Sequence, residues 1–303
     1  MAVSFKAMQA ANKRKTILLI AMMASLTAFV VYVVGLYFGV ASTGLVPLVV
    51  FISVGGTWWS YYASDRIVLT MTGARVIDEN DAPQLYNIVN EVVIASGMPM
   101  PKVAIVEDDA PNAFATGRDP EHAVIAFTTG ILRVMDREQL QGVAAHEMAH
   151  VANRDTLVSA VAATTAGAIA LMSDMVSRIL WFSGGSRDRD RNANPIVLVG
   201  VVIVIILAPI AAMLLRSAIS RNRESLADAT GVEFTRNPAG LRRALEQLEK
   251  DSTVVRQRST SVAHVWIESP LDSSFTSRLF ATHPPLSERI ASLKAIENGT
   301  YDN

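Results

Sequence analysis

The sequence predicts an α+β protein that is also a multi-pass α-helical membrane protein. Three observations lead to this fold class: half of the 303 residues are hydrophobic, only 18% are charged, and the apolar residues are concentrated in long uncharged runs. An ordinary soluble protein has about 25% charged residues. The formal net charge of −1 gives no indication of a nucleic-acid partner, and the lack of cysteine excludes disulfides, thiolate metal sites and cysteine nucleophiles.

Two uncharged runs near the N-terminus predict a transmembrane hairpin over residues 16–63. The first run, 16–40, exceeds the roughly 20 residues that span a bilayer and is too long for the apolar core of a signal peptide. The second, 45–63, ends in two tryptophans and two tyrosines, which are typical of a membrane–water boundary. Basic residues within 1–15 and after residue 63 place both flanks in the cytosol by the positive-inside rule. We therefore expect a protein of the cytoplasmic (inner) membrane.

A second hydrophobic pair is predicted over residues 156–215. Its first run, 156–172, is short, whereas its second, 195–215, is strongly apolar, and a polar loop at 183–194 lies between them. Arginines are balanced on the two sides, so basic residues do not orient this pair. We expect a second transmembrane hairpin. The alternative is a pair of helices that pack on the soluble domain or dip into the bilayer.

The segments 64–155 and 216–303 are predicted to form two parts of one soluble α+β domain. Apolar residues in these segments recur at helical spacing or in short strand-like runs. Asp136 followed three residues later by Gln139 has the spacing of a capping box at the start of a helix. Helices are predicted over residues 81–96, 136–155, 241–248 and 286–296, and strands over 102–106 and 122–127.

His146-Glu147-Met148-Ala149-His150 is an H-E-x-x-H motif within one of these helices. Histidines at i and i+4 lie on one helical face, so His146 and His150 can reach a single metal ion. Imidazole ligands without thiolates favour Zn²⁺, and Glu147 is placed to act as a general base. The alternative is a structural helix that carries two histidines and no metal.

A catalytic zinc needs a third protein ligand, and Glu224 is the candidate. Asp228 lies four residues further along a predicted helix and can accept a hydrogen bond from His146. The alternative is that Glu224 pairs with a neighbouring arginine at the surface.

The third ligand also constrains the membrane topology. If Glu224 and His146 share one zinc, they lie on the same side of the membrane, so both runs of 156–215 span it or neither does. Charged residues around the H-E-x-x-H motif indicate that the site lies beside the bilayer in the cytosol.

These elements, together with two further motifs, resemble the HtpX membrane zinc metalloproteases, which are relatives of the CAAX prenyl endopeptidases. The resemblance follows the whole order of the chain: hairpin, catalytic helix, second hydrophobic pair, third ligand and C-terminal motif. The two further motifs are Asn112-Ala113-Phe114-Ala115 and Thr282-His283-Pro284-Pro285-Leu286-Ser287-Glu288-Arg289-Ile290.

The resemblance implies a zincin-like (gluzincin) domain with one Zn²⁺ per chain. It implies that His283 stabilises the oxyanion as a catalytic residue and that Arg289 supports that region. It also implies that Asn112, Ala113 and Ala115 belong to an edge strand against which the substrate extends, an arrangement that gives affinity through main-chain hydrogen bonds. From the residues alone, His283 is equally compatible with a turn before two prolines, and Asn112 after a proline with ordinary turn chemistry.

The expected function is that of a membrane-bound zinc endopeptidase that removes unfolded or damaged membrane proteins, often under stress. The expected partners are these substrates and the lipid bilayer; the sequence leaves the oligomeric state open. Two alternatives are a prenyl-peptide processing protease with a dedicated substrate and a non-catalytic membrane scaffold. The complete ligand set with Glu147 argues against the scaffold, and four apolar segments would enclose little volume for a lipid-modified peptide.

Overall fold

The computed structural model describes residues 62–157, 221–250 and 286–299, with isolated positions between residues 14 and 59. The predicted hairpin over 16–63 and the hydrophobic pair over 156–215 therefore lie almost entirely outside the described residues, as does His283. Within the part of the chain that is described, no helix is both long enough and apolar enough to cross a membrane.

The described residues form an α+β domain in which a mixed sheet is followed by helices. In chain order the elements are α1 (Ser64–Thr72), β1 (Arg75–Ile77), α2 (Pro83–Ser96), β2 (Lys102–Val106), β3 (Ala113–Thr116), a 3-10 turn (Pro120–His122), β4 (Val124–Thr128), α3 (Thr129–Val134), α4 (Arg137–Ala152), α5 (Arg221–Thr235), α6 (Pro238–Lys250) and α7 (Leu286–Glu297).

The four described strands form one sheet in the order β1-β2-β4-β3. β2 and β4 pair in parallel, whereas β1 pairs with β2 and β3 pairs with β4 in antiparallel orientation. β2 has the predicted bounds. β4 begins at Val124, not at His122 as predicted, because Pro120 opens a 3-10 turn that ends at His122. His122 is half-exposed, and its Nδ1 lies 2.5 Å from Asp119 Oδ1, so it closes the turn.

α4 is the central helix of the domain and packs against α2, α5, α6 and β3. It begins with the predicted capping box: Gln139 N–H donates to Asp136 Oδ1 at 2.8 Å, and Asp136 N–H donates to Gln139 Oε1 at 2.8 Å. Most of its side chains are buried, on more than one face. A helix that is surrounded by other elements loses a simple amphipathic pattern, which is why its inner face extends beyond the predicted apolar stripe.

The sequence predicts that this helix continues to residue 155, but it ends at Ala152. Asn153 and Arg154 form a turn, and Arg154 has a φ of 57°, a left-handed conformation that no helix can continue. Arg154 N–H donates to Val151 O at 3.0 Å and closes the turn. The chain therefore changes direction three residues after His150.

A candidate metal centre

His146 and His150 lie on one face of α4, as their spacing predicts. Their Nε2 atoms are 3.2 Å apart, and their rings meet edge to face with centroids 4.7 Å apart. His146 is fully buried, and His150 is partly exposed at one end of the cluster. The two imidazoles therefore converge on one point beside the helix.

α5 brings Glu224 to the same point. Its two carboxylate oxygens lie 3.6 Å from His146 Nε2 and 3.6 Å from His150 Nε2. Glu224, Asp228 and Gly231 follow one another at spacings of four and three residues, so they share the helical face that packs on α4. A Cβ at Gly231 would lie 3.1 Å from the main-chain nitrogen of His146, so glycine permits the close approach of the two helices.

These three side chains have the chemistry and separation of a zinc site. One donor atom from each of His146, His150 and Glu224 lies within 4.8 Å of the others. Tetrahedral Zn²⁺ with bonds of about 2.0–2.1 Å places its donor atoms about 3.3 Å apart. The distances of 3.2 and 3.6 Å between the donors are close to that value. The arrangement can hold one zinc ion, and three protein ligands leave a position for substrate or water.

Asp228 supports His146 from the side opposite the metal position. Its Oδ1 lies 3.0 Å from His146 Nδ1, which fixes the ring with Nε2 directed towards Glu224. Arg289 of α7 donates two hydrogen bonds to Asp228, at 2.6 and 2.9 Å, and its Nη1 lies 3.4 Å from Glu224 Oε2. Arg289 is therefore placed within the ligand cluster, where its guanidinium balances two carboxylates.

Burial and neighbouring charges shift the pKa values of this cluster in opposite directions. Burial raises the pKa of Asp228, but Arg289 and His146 outweigh it and bring the pKa down to about 2. Burial lowers the pKa of Arg289, but the surrounding carboxylates, first that of Asp228, raise it overall. Burial and Arg289 lower the pKa of His146, but hydrogen bonds to Asp228 and Glu224 raise it to about 9. Opposite charges within the cluster therefore offset the cost of burying each group.

Glu147, the central residue of the motif, is also buried. Burial raises the pKa of its carboxyl group above the ordinary value, against the opposing attraction of His146 and His150. A carboxylate with a raised pKa is a better proton acceptor than a solvated one. Its carboxyl group lies close enough to His146 and His150 for their charges to act on its pKa.

Asn112, Ala113 and Ala115 lie at the sheet edge nearest α4. Asn112 immediately precedes β3, which is the edge strand of the described sheet and contacts α4. Thr128 N–H donates to Asn112 O at 2.9 Å, so the alternation of an antiparallel ladder directs the main-chain groups of Ala113 and Ala115 away from β4. Asn112 Oδ1 accepts from Ala113 N–H at 3.0 Å. All of these residues are buried.

Two residues that sequence reasoning did not assign also lie at the centre. Asp155 Oδ2 is 3.3 Å from His150 Nδ1, and Arg223 is buried next to Glu224 in the chain. Residue 155 is five positions after His150, which is off the face of a continuous helix, so periodicity could not identify it. An acidic residue shortly after an H-E-x-x-H motif is the one signal that the sequence offers.

The fold and the centre define a class of protein: a metallopeptidase with an H-E-x-x-H helix and a glutamate that a second helix brings to the same point. Residues 79–297 match the model of Peptidase family M48, and the chain belongs to that family. It is therefore a metalloendopeptidase that depends on zinc, with peptides or proteins as substrates.

Proteins that are similar in sequence agree with this assignment. The "Protease HtpX homolog" of Caldanaerobacter subterraneus subsp. tengcongensis is 46% identical over 293 residues, which cover 95% of this chain and 97% of the relative. The protein of the same name from Streptococcus gordonii is 42% identical, over 94% of this chain and 97% of its own. The crystal structure of S. mikatae Ste24p shares the fold, with a TM-score of 0.51 and 15% identity over 94% of this chain and 66% of that one.

Proposed function

We propose that this metalloendopeptidase is a multi-pass protein of the cytoplasmic membrane that degrades unfolded or damaged membrane proteins from the cytosolic side. The observation that carries the proposal is the distance of 3.6 Å between His146 Nε2 and Glu224 Oε2. In the chain, His146 precedes the hydrophobic pair over 156–215 and Glu224 follows it. Because the two ligands meet, the chain between them crosses the membrane an even number of times. A strongly apolar second run favours two crossings, which keep the centre close to the bilayer.

In the proposed mechanism, His146, His150 and Glu224 would hold one zinc ion. When bound there, zinc would supply Lewis-acid polarisation of the scissile carbonyl and would lower the pKa of the attacking water. Glu147 takes a proton from that water and delivers it to the leaving amine. Asp228 and Arg289 hold His146 in its ligating orientation. We assign to His283 the role of donating a hydrogen bond to the developing oxyanion.

We propose that the substrate binds as an additional strand beside β3. The main-chain groups of Ala113 and Ala115 face away from β4, which leaves them directed towards the edge of the described sheet. An extended chain at this edge would run past α4, which carries Glu147. Recognition through main-chain groups tolerates many sequences, as the degradation of diverse damaged proteins requires.

A comparison of membrane proteomes tests the proposed function. Cells that carry the Glu147→Gln variant should accumulate many unfolded membrane proteins, which the unaltered protein removes. The matched control is Glu138→Gln, because Glu138 lies on the same helix but is exposed and pairs with Arg243. Accumulation of one prenylated peptide alone would indicate a dedicated processing enzyme, and identical proteomes would overturn the proposal.

Cysteine labelling tests the proposed topology, because the chain has no cysteine of its own. A Ser186→Cys variant should react in intact cells with a reagent that does not cross the membrane, since two crossings place the loop outside. An Ala95→Cys variant, at an exposed position of α2, should react only after lysis. If residue 186 is also protected in intact cells, the pair over 156–215 does not span the membrane.

A further inference from the structure

Each of the two ligand histidines has a carboxylate on its Nδ1 side. His146 Nδ1 lies 3.0 Å from Asp228, which comes from α5, and His150 Nδ1 lies 3.3 Å from Asp155, which follows the end of α4. Asp155 is 3% exposed, so its carboxylate is removed from bulk water. A carboxylate that accepts from Nδ1–H leaves the Nε2 lone pair free to bind a metal.

The left-handed turn after α4 brings Asp155 to His150. In a continuous helix a residue five positions on lies about 140° round the axis, on a different face from its starting residue. The helix instead ends at Ala152, and Arg154 adopts a φ of 57°. A non-glycine residue is uncommon in this conformation, which carries backbone strain. The strained turn folds the chain back so that Asp155 reaches the histidine.

A second buried arginine, Arg223, precedes Glu224 on α5. Arg223 is 6% exposed, and its Nη1 has no hydrogen-bond partner among the described residues. Burial lowers the pKa of its guanidinium, and attraction to Asp155 and then to Glu224 opposes that shift. The charge of Arg223 therefore interacts with the carboxylate behind His150 and with the carboxylate that completes the ligand set.

We propose that Asp155 is a positioning residue for His150: it accepts a hydrogen bond from Nδ1–H and holds the ring so that Nε2 faces Glu224, while Arg223 balances its charge. The inference rests on the zinc site of the proposed function. His146 and His150 are then each fixed by a separate pair of carboxylate and guanidinium: Asp228 of α5 with Arg289 of α7, and Asp155 of the turn after α4 with Arg223 of α5. Loss of either carboxylate loosens one ligand without removing it.

We test this inference by measuring the zinc affinity of the whole chain in detergent micelles, in competition with a chelator. Asp155→Ala should weaken zinc binding about 10- to 100-fold, the usual range for the partner of a ligand histidine. Asp155→Asn should recover part of this loss, because its amide oxygen can still accept from Nδ1–H. The control is Asp81→Asn, which removes a carboxylate 3.6 Å from Arg75, away from the centre, and should bind zinc as the unaltered protein does.

Thermal unfolding of the metal-free variants separates positioning from folding. A lowered Tm with unchanged zinc affinity would give Asp155 a purely structural role and overturn the inference, as would an Asn variant that binds zinc no better than the Ala variant. If the unaltered protein itself fails to bind zinc, the proposed function fails. If it binds one zinc per chain and Asp155→Ala binds it equally well, the inference alone fails.

A double-mutant cycle tests the part assigned to Arg223. Arg223→Met should weaken zinc binding in the unaltered background but should add little in the Asp155→Ala background, because the charge that it balances is gone. If the two losses of zinc affinity multiply in the double variant, Arg223 acts independently of Asp155, for example through Glu224. That result would overturn the role assigned to Arg223.

Discussion

Arg289 and Asp228, 61 residues apart in the chain, form a two-point ion pair behind His146, with distances of 2.6 and 2.9 Å. The pair is buried and joins α7 to α5 at the metal centre. A buried carboxylate is tolerated when a guanidinium with good geometry compensates its lost hydration. The C-terminal helix therefore contributes to the centre without supplying a metal ligand.

Asp228→Asn should destabilise the metal-free protein by about 3–5 kcal/mol at neutral pH, because it leaves Arg289 buried without this counter-charge. The pKa of Asp228 is lowered from 3.8 to about 2, so its contribution of about 2 kcal/mol is complete above pH 4 and is lost as the pH falls from about 4 towards 2. The free energy of unfolding, measured against pH, should therefore fall less steeply below pH 4 for the variant than for the unaltered protein. If the free energy of unfolding depends on pH equally in both proteins, Asp228 does not form the stabilising ion pair described here.

Glu224→Ala should remove most of the bound zinc, because two histidines alone provide an incomplete site. The measurement is zinc content by elemental analysis after gel filtration. The matched control is Glu233→Ala, an exposed glutamate of the same helix, which should retain one zinc per chain. Stoichiometric and tight zinc in Glu224→Ala would mean that another residue is the third ligand.

Gly142→Ala should lower the free energy of unfolding by about 1–3 kcal/mol. A Cβ at this position would lie 2.5 Å from the main-chain nitrogen of Leu241, so α6 would have to move away from α4. The gain in helix propensity from alanine, about 1 kcal/mol, does not offset such a contact. Chemical denaturation measures the effect.

Gly231→Ala provides a contrast at the metal centre. Its Cβ would meet the backbone at His146 at 3.1–3.2 Å, a contact that a shift of a few tenths of an ångström relieves. We expect a small change in stability but weaker zinc binding, because α5 carries Glu224 away from the histidines as it moves. Zinc affinity equal to that of the unaltered protein would show that this close approach does not set the ligand geometry.

Two pairs of residues at the candidate centre could be predicted from helical periodicity. His146 and His150, and likewise Glu224 and Asp228, are separated by four residues, and the structure brings both pairs to one centre. Asp155 could not be predicted, because a left-handed turn at Arg154 places it and helical spacing does not. The strand predicted from His122 was wrong at its start, because the turn at Pro120 outweighed the alternating pattern.

The strands of the sheet were predicted on two different grounds, the residue pattern for one and the family resemblance for another. β2 was apparent from its apolar run, whereas β3 is four residues long and was expected only from its likeness to a family motif. A short edge strand has too few residues to show an alternating pattern, and its pairing with β4 depends on contacts remote in the sequence. The direction of its main-chain groups could be obtained only from the register.

Ala115→Pro should impair cleavage while preserving the sheet. Proline removes the N–H of Ala115, which the register directs away from β4, so the ladder with β4 loses no donor. Loss of one main-chain hydrogen bond to an extended substrate should lower kcat/KM about 10-fold. Ala115→Gly, which retains the N–H, is the control and should cleave at nearly the original rate. Circular dichroism checks the fold, and peptides with single amide-to-ester replacements locate the matching substrate group. Unchanged kcat/KM in a folded Ala115→Pro variant would exclude this edge as the substrate site.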